Sequence, residues 1–231
     1  MTTTTHHPTL DHRDLPHLLS RMTGDEKHDP ASQSTLDVVW VLYHDVLSLT
    51  PDRVDDPDRD RFYLSKGHGP MAFYATLAAH GFFPAEWLDG AMAFDSPLGA
   101  HPDRTLIPGC EISAGSLGHG LPLAVGTALG LRARGSDARV YVLVGDAELD
   151  EGSNDEAIAF AGAIGLDNLT VVAVDNSSST HNRPHRLARR FDVEQWSTTE
   201  IDGHDHDAIR SALTRSAGRP AFIAALVERK S

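Results

Sequence analysis

Cysteine, basic residues and long apolar runs are scarce in this sequence, and each scarcity excludes a class of protein. The 231 residues contain one cysteine, Cys110, which cannot form an internal disulfide, so we expect a reducing, cytoplasmic compartment. No apolar stretch approaches the roughly 20 residues that a membrane-spanning helix needs. Twenty basic residues stand against 33 acidic ones, and the net charge of −13 argues against nucleic acid as a partner.

The N-terminus lacks the pattern of a signal peptide, which is a basic segment followed by an apolar core. We expect residues 1–22 to be a disordered or loosely attached lead. The remaining residues, 23–231, have a length that suits a single domain.

A strand, a helix and a second strand are predicted within residues 138–176. Apolar runs cover residues 140–144 and 169–174, and a helical pattern of small residues covers 154–164. The crossover predicts parallel strands whose carboxyl ends share one edge of the sheet. Asp146 and Asn176 follow those ends, and their carboxylate and amide oxygens suit a hard cation such as Mg²⁺. The alternative is that Asp146 caps the following helix and Asn176 begins a turn.

Apolar periodicity elsewhere predicts an α/β fold, with a parallel central sheet and helices on both faces. Further helices are expected over residues 36–49, 71–79, 121–134 and 203–214, and further strands over 61–64, 198–202 and 220–227. The glycines at 115, 118 and 120 do not have the spacing of a dinucleotide-binding loop.

Two histidine-containing segments are candidate ligand sites. His68 stands between two glycines where a strand leads into a helix, a position from which it can reach a ligand; an exposed histidine in a tight turn is the alternative. The segment His204-Asp205-His206 is interpreted as the start of a helix and not as a pair of metal ligands.

Several spacings together resemble one known family. The segment DRFYLSKGHG, at residues 60–69, is similar to a transketolase signature, and the glycine-aspartate segment resembles the family's thiamine diphosphate motif through Asp146, Glu151-Gly152, Glu156-Ala157, Asn168-Leu169 and Asp175-Asn176. The likeness extends from about residue 23 to residue 228. It matches the N-terminal subunit of split transketolases, which is an α/β thiamine diphosphate PP-binding domain.

The resemblance implies thiamine diphosphate as the cofactor, together with Mg²⁺, or else Ca²⁺ or Mn²⁺. The implied metal ligands are Asp146, Asn176 and the main-chain carbonyl of Ser178. The implied cofactor contacts are His68, Gly115, Ser116, Leu117, Gly145, Asp146, Ala147, Glu151, Asn176 and Ser178. The implied catalytic residues are His28, His68, His101 and Glu151.

The implied function is transfer of a two-carbon ketol unit between ketose and aldose phosphates. The activity would require a second chain, the pyrimidine-domain C-terminal subunit, in an α₂β₂ complex. Glu151 and Glu156 would lie at that interface, and the small residues over 157–163 would let another backbone approach. No nucleic acid or membrane partner is implied.

This sequence departs from the family pattern at several positions. Ala147 and His119 replace a glycine and a glutamine, His28 is followed by Asp29-Pro30, and serines occupy 177–179. Family members usually continue through a further loop to another active-site histidine, which is missing from this sequence. Two alternatives therefore stay open: another thiamine diphosphate reaction, such as decarboxylation of a 2-oxo acid with acyl transfer, and a non-catalytic paralogue that serves as a structural partner.

Overall fold

A five-stranded parallel sheet forms the centre of the protein, with the strand order β1-β2-β3-β5-β4. The computed structural model describes residues 10–22, 29–67, 69–177 and 185–228, with the backbone alone at 29–33. The strands are β1 Arg61–Leu64, β2 Val140–Gly145, β3 Leu169–Asp175, β4 Ser197–Asp202 and β5 Ala221–Leu226. The predicted α/β fold with a parallel sheet is confirmed.

Seven α-helices surround the sheet in the described part of the chain. They are α1 Leu15–Arg21, α2 Asp29–Val41, α3 Met71–Ala79, α4 Gly120–Ala133, α5 Gly152–Ala163, α6 Arg186–Asp192 and α7 His206–Thr214. Among the described residues, none of the helices combines the length and the apolar character needed to cross a bilayer.

Two of the predicted helices differ from their expected bounds by three residues or more. The helix expected over 36–49 starts earlier, at Asp29, and its last turn widens into a π-turn, Leu42–Val46, in which the N–H of Leu47 donates to the carbonyl of Leu42. The helix expected over 203–214 starts at His206. The reason is the Asp205 carboxylate, which accepts the N–H groups of residues 207 and 208 at 3.0 Å and thereby caps the helix.

Side chains of the strands alternate between two hydrophobic cores, one on each face of the sheet. Tyr141 and Leu143 of β2 pack on the face that carries α1, α2, α3 and α7. Their neighbours Val142 and Val144 pack on the opposite face, against α4, α5 and α6. Because helices cover both faces, β2 is buried at every position, as its continuous apolar run predicts.

Helix α1 corrects the expectation that residues 1–22 form a loose lead. Leu15 is 0% exposed and Leu18 is buried in the same core as α2 and α3. Arg21 holds the end of α1 by donating two hydrogen bonds to the carboxylate of Asp89, at 2.7 and 2.6 Å. Residues 10–22 are therefore part of the packed body, and residues 1–9 lie outside the described residues.

We predict that Leu15→Ala destabilises the protein by about 2–4 kcal/mol, because it deletes a fully buried side chain and leaves a cavity. Urea denaturation followed by circular dichroism measures this loss. The matched control is His17→Ala on the same helix, where the side chain is exposed and the expected change is about 0.5 kcal/mol or less. A Leu15→Ala loss as small as the control would contradict the packing of α1.

Candidate functional site

Asp146 and Asn176 lie directly after two neighbouring strands, at one edge of the sheet. Gly145 of β2 pairs with Val174 of β3 in parallel register, so the two polar residues leave adjacent strand ends. Their exposed fractions are 3% and 9%, and the N–H of Ala147 donates to the Asp146 carboxylate at 2.9 Å. A buried carboxylate and an amide oxygen on two adjacent strand ends form a donor set that fits the implied Mg²⁺.

The alternative role for Asp146, as a helix cap, does not occur. A short 3₁₀ turn, Glu148–Asp150, separates Asp146 from the next helix, and Glu151 occupies the N-cap position of α5. Asp146 is therefore left at the strand edge without a capping function.

Glu148 is the central buried residue of this region, although its sequence context did not indicate a role. The residue is 2% exposed. Its carboxylate accepts hydrogen bonds from the hydroxyl of Ser65 and from the N–H groups of Gly118, at 3.1 Å, and Gly145, at 3.2 Å. The side-chain amide of Asn154 donates to the main-chain carbonyl of Glu148 at 2.7 Å. Glu148 thus fixes three segments that are distant in the sequence.

Burial determines the protonation behaviour of Glu148. It raises the pKa of the carboxyl group, and the hydrogen bonds from Ser65, Gly118 and Gly145 together with the charge of Lys66 offset only part of that rise. Glu148 therefore has a pKa above the ordinary value of a glutamate.

The glycine-rich loop before α4 lies directly against the start of α5. A Cβ on Gly118 would come within 2.6 Å of the Cβ of Glu151, and the φ of Gly118 is +79°. Both the lack of space and the left-handed backbone conformation therefore exclude a larger residue at this position. The hydroxyl of Ser153 donates to the carbonyl of Gly118 at 2.6 Å. This contact places Glu151 beside the loop that carries Ser116 and Leu117.

His101 approaches the same loop from another side. Its ring carbons lie 3.3 Å from where a Cβ of Gly115 would stand, and Gly115 has a φ of +136°. A Cβ on Gly67 would come within 2.7 Å of the Gly115 nitrogen, so the segment that precedes His68 also meets this loop. Three segments to which the resemblance assigns site residues are therefore in contact.

Seven of the predicted site residues that the structure describes lie in one region. Those at the strand edge or against the glycine-rich loop are His101, Gly115, Gly145, Asp146, Ala147, Glu151 and Asn176. Ser116, Leu117 and Glu151 have exposed side chains. His28, His68 and Ser178 lie outside the described residues.

Ala147 is compatible with its backbone position. Its φ and ψ are −73° and −32°, in the right-handed region, so the alanine that replaces the family's glycine causes no backbone strain. His119, the other replacement near the pocket, is exposed and directly precedes α4.

The fold and this strand edge define a parallel α/β protein of the kind that binds a ligand beyond the carboxyl ends of its strands. Residues 23–227 match the family model described as transketolase, thiamine diphosphate binding domain. The chain therefore belongs to the transketolase family, of which it contains the thiamine diphosphate-binding domain.

Three relatives illustrate the range of the family. The chain is 56% identical over 220 residues to "Ferredoxin fas2" of Rhodococcoides fascians, a match that covers 94% of this chain and 72% of that protein. It is 36% identical over 205 residues to the 6-deoxy-6-sulfo-D-fructose transketolase subunit SqwG of Clostridium sp. (strain MSTE9), covering 85% and 74%. It is 43% identical over 145 residues to one subunit of the apulose-4-phosphate transketolase of Actinobacillus succinogenes, covering 63% and 52%.

Solved structures show the same fold. The transketolase of Campylobacter jejuni superimposes with a TM-score of 0.76 at 24% identity, and the match covers 94% of this chain but 38% of that one. This chain thus corresponds to about one third of a full-length transketolase and to roughly half to three quarters of the three relatives named above.

Proposed function

We propose that this chain is the N-terminal subunit of a two-chain transketolase. It binds the metal-diphosphate end of thiamine diphosphate and, with a pyrimidine-domain subunit, transfers a two-carbon ketol unit from a ketose to an aldose, as phosphates. The observation that carries this proposal is the buried pair Asp146 and Asn176 at neighbouring strand ends. The names of the two relatives described as transketolase subunits support it.

Asp146 and Asn176 hold the metal ion in this proposal, with the main-chain carbonyl of Ser178 as a third ligand. Asp146 contributes the negative charge, and Asn176 contributes a neutral oxygen. When bound, thiamine diphosphate supplies an electron sink for cleavage of the carbon–carbon bond next to a carbonyl. His68, between two glycines, contacts the diphosphate.

The histidines contribute hydrogen bonds and proton transfer on the substrate side. His101 is half-buried against Gly115, close to the segment that carries His68. An imidazole can donate or accept a proton near neutral pH, which suits handling of the substrate hydroxyl groups. We assign the same role to His28.

Glu148 is proposed as a positioning residue for this site. It is hydrogen bonded to Gly145, directly before Asp146, and to Gly118 in the glycine-rich loop. A rigid connection between these two segments keeps the loop at a fixed distance from the metal ligands, which a cofactor held at both ends requires.

The exposed face of α4 and α5 is proposed to bind the partner subunit. Leu123 and Phe160 are 52% and 47% exposed, and apart from the backbone of α4 itself no heavy atom lies within 4 Å of a Cβ placed on Gly126 or Gly130. Large apolar side chains beside bare backbone favour a protein partner that packs closely. The acidic residue Glu156 borders this face and is exposed.

Some of the small residues over 157–163 serve a different purpose. Ala157 and Ala161 are buried against their own sheet, and a Cβ on Gly162 would collide with the carbonyl oxygen of Glu194. These residues allow α5 to pack on its own domain, so they are not available to a partner. Ala163, by contrast, is exposed.

The word ferredoxin in the name of the relative from Rhodococcoides fascians does not imply that these residues bind an iron–sulfur cluster. Such clusters are held by several cysteine thiolates, usually four, and the 231 residues contain only Cys110. Burial raises the pKa of the Cys110 thiol to about 12, so this residue stays protonated and is a poor ligand.

Reconstitution tests the proposed function. The purified chain is mixed with the pyrimidine-domain subunit, thiamine diphosphate and Mg²⁺, and ketol transfer between sugar phosphates is measured together with the native mass. We expect an α₂β₂ complex that is active and a chain that is silent by itself. Turnover by the chain alone would contradict the two-chain proposal. Activity only on 2-oxo acids favours the acyl-transfer alternative, and assembly without cofactor binding favours the non-catalytic one.

We predict that Glu151→Gln leaves folding intact and lowers turnover of the reconstituted complex by at least about 10-fold, because a glutamate at the interface relays a proton that an amide cannot. The side chain is exposed in the isolated chain, so its unfolding free energy is expected to change by no more than about 0.5 kcal/mol. Exposed Glu86, far away in the sequence, provides the matched control Glu86→Gln. Wild-type turnover in an assembled Glu151→Gln complex would show that Glu151 only begins α5 and relays no proton.

A further inference from the structure

Three histidines surround the carboxylate of Asp37, which lies on α2. The Nε2 atom of His206 is 2.7 Å from Oδ1 of Asp37, and the Nε2 atom of His12 is 3.1 Å from the same oxygen. The Nδ1 atom of His204 is 2.7 Å from the other oxygen, Oδ2. We call these four residues the Asp37 cluster.

The nitrogen of His12 is directed into this cluster without a hydrogen bond. Its Nε2 atom is buried and forms no hydrogen bond, although Asp37 Oδ1 is near. The rings of His12 and His206 are 4.6 Å apart and nearly perpendicular, at 89°. The two imidazole nitrogens and the carboxylate oxygen all lie within 4.8 Å of one another. His206 is hydrogen bonded to this oxygen and His12 is not, and the three ligand atoms lie close enough together to share one metal ion.

A second layer of contacts orients the carboxylate. His204 bridges Asp37 and Glu228, because its Nε2 atom is 2.9 Å from an oxygen of Glu228 while its Nδ1 atom contacts Asp37. Metal-binding carboxylates and histidines in proteins are held by such outer partners.

We propose that His12, Asp37 and His206 bind a divalent transition-metal ion, with Zn²⁺ as the representative ion. Two imidazole nitrogens and one carboxylate oxygen form a donor set that Zn²⁺ prefers, and water completes the coordination. His204 is an outer-layer residue that holds the carboxylate.

This site differs from the strand-edge site in place and in chemistry. His206 begins α7 after β4, and β5 separates β4 from β3, the strand that precedes Asn176. The strand-edge site offers oxygen ligands, whereas the Asp37 cluster offers mostly nitrogen. His12 lies in the turn before α1, so a bound ion would connect the N-terminal helix to α2 and α7.

The experiment uses the full chain in which His6 and His7 are replaced by alanine, because adjacent histidines bind Zn²⁺ themselves. Equilibrium dialysis against Zn²⁺ is performed in excess Mg²⁺, and the visible spectrum of the Co²⁺ form reports nitrogen ligation. We expect one Zn²⁺ per chain and a rise of several degrees in the unfolding temperature on binding. Asp37→Asn and His206→Gln are each expected to weaken binding by at least about 10-fold.

Two controls make the result specific. His17→Ala, on exposed α1 surface, and Asp146→Asn, at the strand edge, are expected to leave Zn²⁺ affinity unchanged. Circular dichroism of the metal-free variants verifies folding, and if one variant does not fold, His12→Gln replaces it. A parent chain that binds no Zn²⁺, or binding that survives both Asp37→Asn and His206→Gln, would overturn the proposal and leave the cluster as a hydrogen-bonded connection.

Discussion

Replacing Asp146 by asparagine is expected to weaken the joint binding of Mg²⁺ and thiamine diphosphate by at least about 100-fold, or about 2.7 kcal/mol. Asparagine has nearly the size of aspartate, and its amide oxygen can still accept the N–H of Ala147. The substitution therefore removes the negative charge while it preserves the local hydrogen bond. Isothermal titration calorimetry on the chain alone and on the reconstituted complex measures the affinity.

The control for Asp146→Asn separates ligand loss from loss of folding. The free energy of unfolding without ligand is expected to change by about 1 kcal/mol or less, since the buried hydrogen bond is retained. Asp95→Asn removes an equal charge at an exposed position and is expected to leave cofactor affinity unchanged. Wild-type affinity in the Asp146→Asn chain would refute the assignment of the metal site.

Replacing Glu148 by glutamine is expected to destabilise the protein by about 1–3 kcal/mol. Both carboxylate oxygens accept hydrogen bonds, from Ser65 and Gly118 on one side and from Gly145 on the other. An amide has one acceptor oxygen, so its NH₂ group must face a donor in either orientation. Chemical denaturation measures the loss, and cofactor affinity is expected to fall with it because the glycine-rich loop is no longer fixed.

The pH dependence of this loss follows from the raised pKa of Glu148. A carboxyl group whose pKa is higher in the folded state contributes stability that is complete below its unfolded pKa and is lost as pH rises through the folded value. Glutamine does not titrate, so the stability difference between wild type and Glu148→Gln should narrow as the pH rises from the ordinary pKa of a glutamate through the raised pKa of Glu148. Glu156→Gln, at an exposed position, is the control. A difference that stays constant with pH would show that Glu148 keeps an ordinary pKa.

Local pattern was sufficient for the strands, for most of the helices and for one edge of the site, whereas α1 and α6 were not predicted. The strands around Gly145 and Val174 were predictable because buried parallel strands are continuous apolar runs. Asp146 and Asn176 could then be placed together by topology, since parallel strands end at the same edge.

Contacts between distant segments were not predictable. Glu148 stands in an acidic run that suggests a solvated turn, and its role arises only when Ser65 and Gly118 are brought to it. In the same way, His204 and His206 were correctly interpreted as part of a helix start, but Asp37 and His12 come from the other end of the chain. The spacing of residues within one segment carries no information on such contacts between distant segments.

The order of the strands bears on how the protein reaches its native state. The pair β2 and β3 is joined by one helix, whereas β1 pairs with β2 only after α3, α4 and their long connection have been placed. Closing the longer loop costs more chain entropy, so we expect the β2–α5–β3 unit to form early and β1 to dock late. Ser65 follows β1 directly, and its bond to Glu148 forms with that docking. We therefore expect the strand edge that carries Asp146 and Asn176 to be completed only when β1 docks, and a chain in which β1 has not docked to bind the cofactor more weakly.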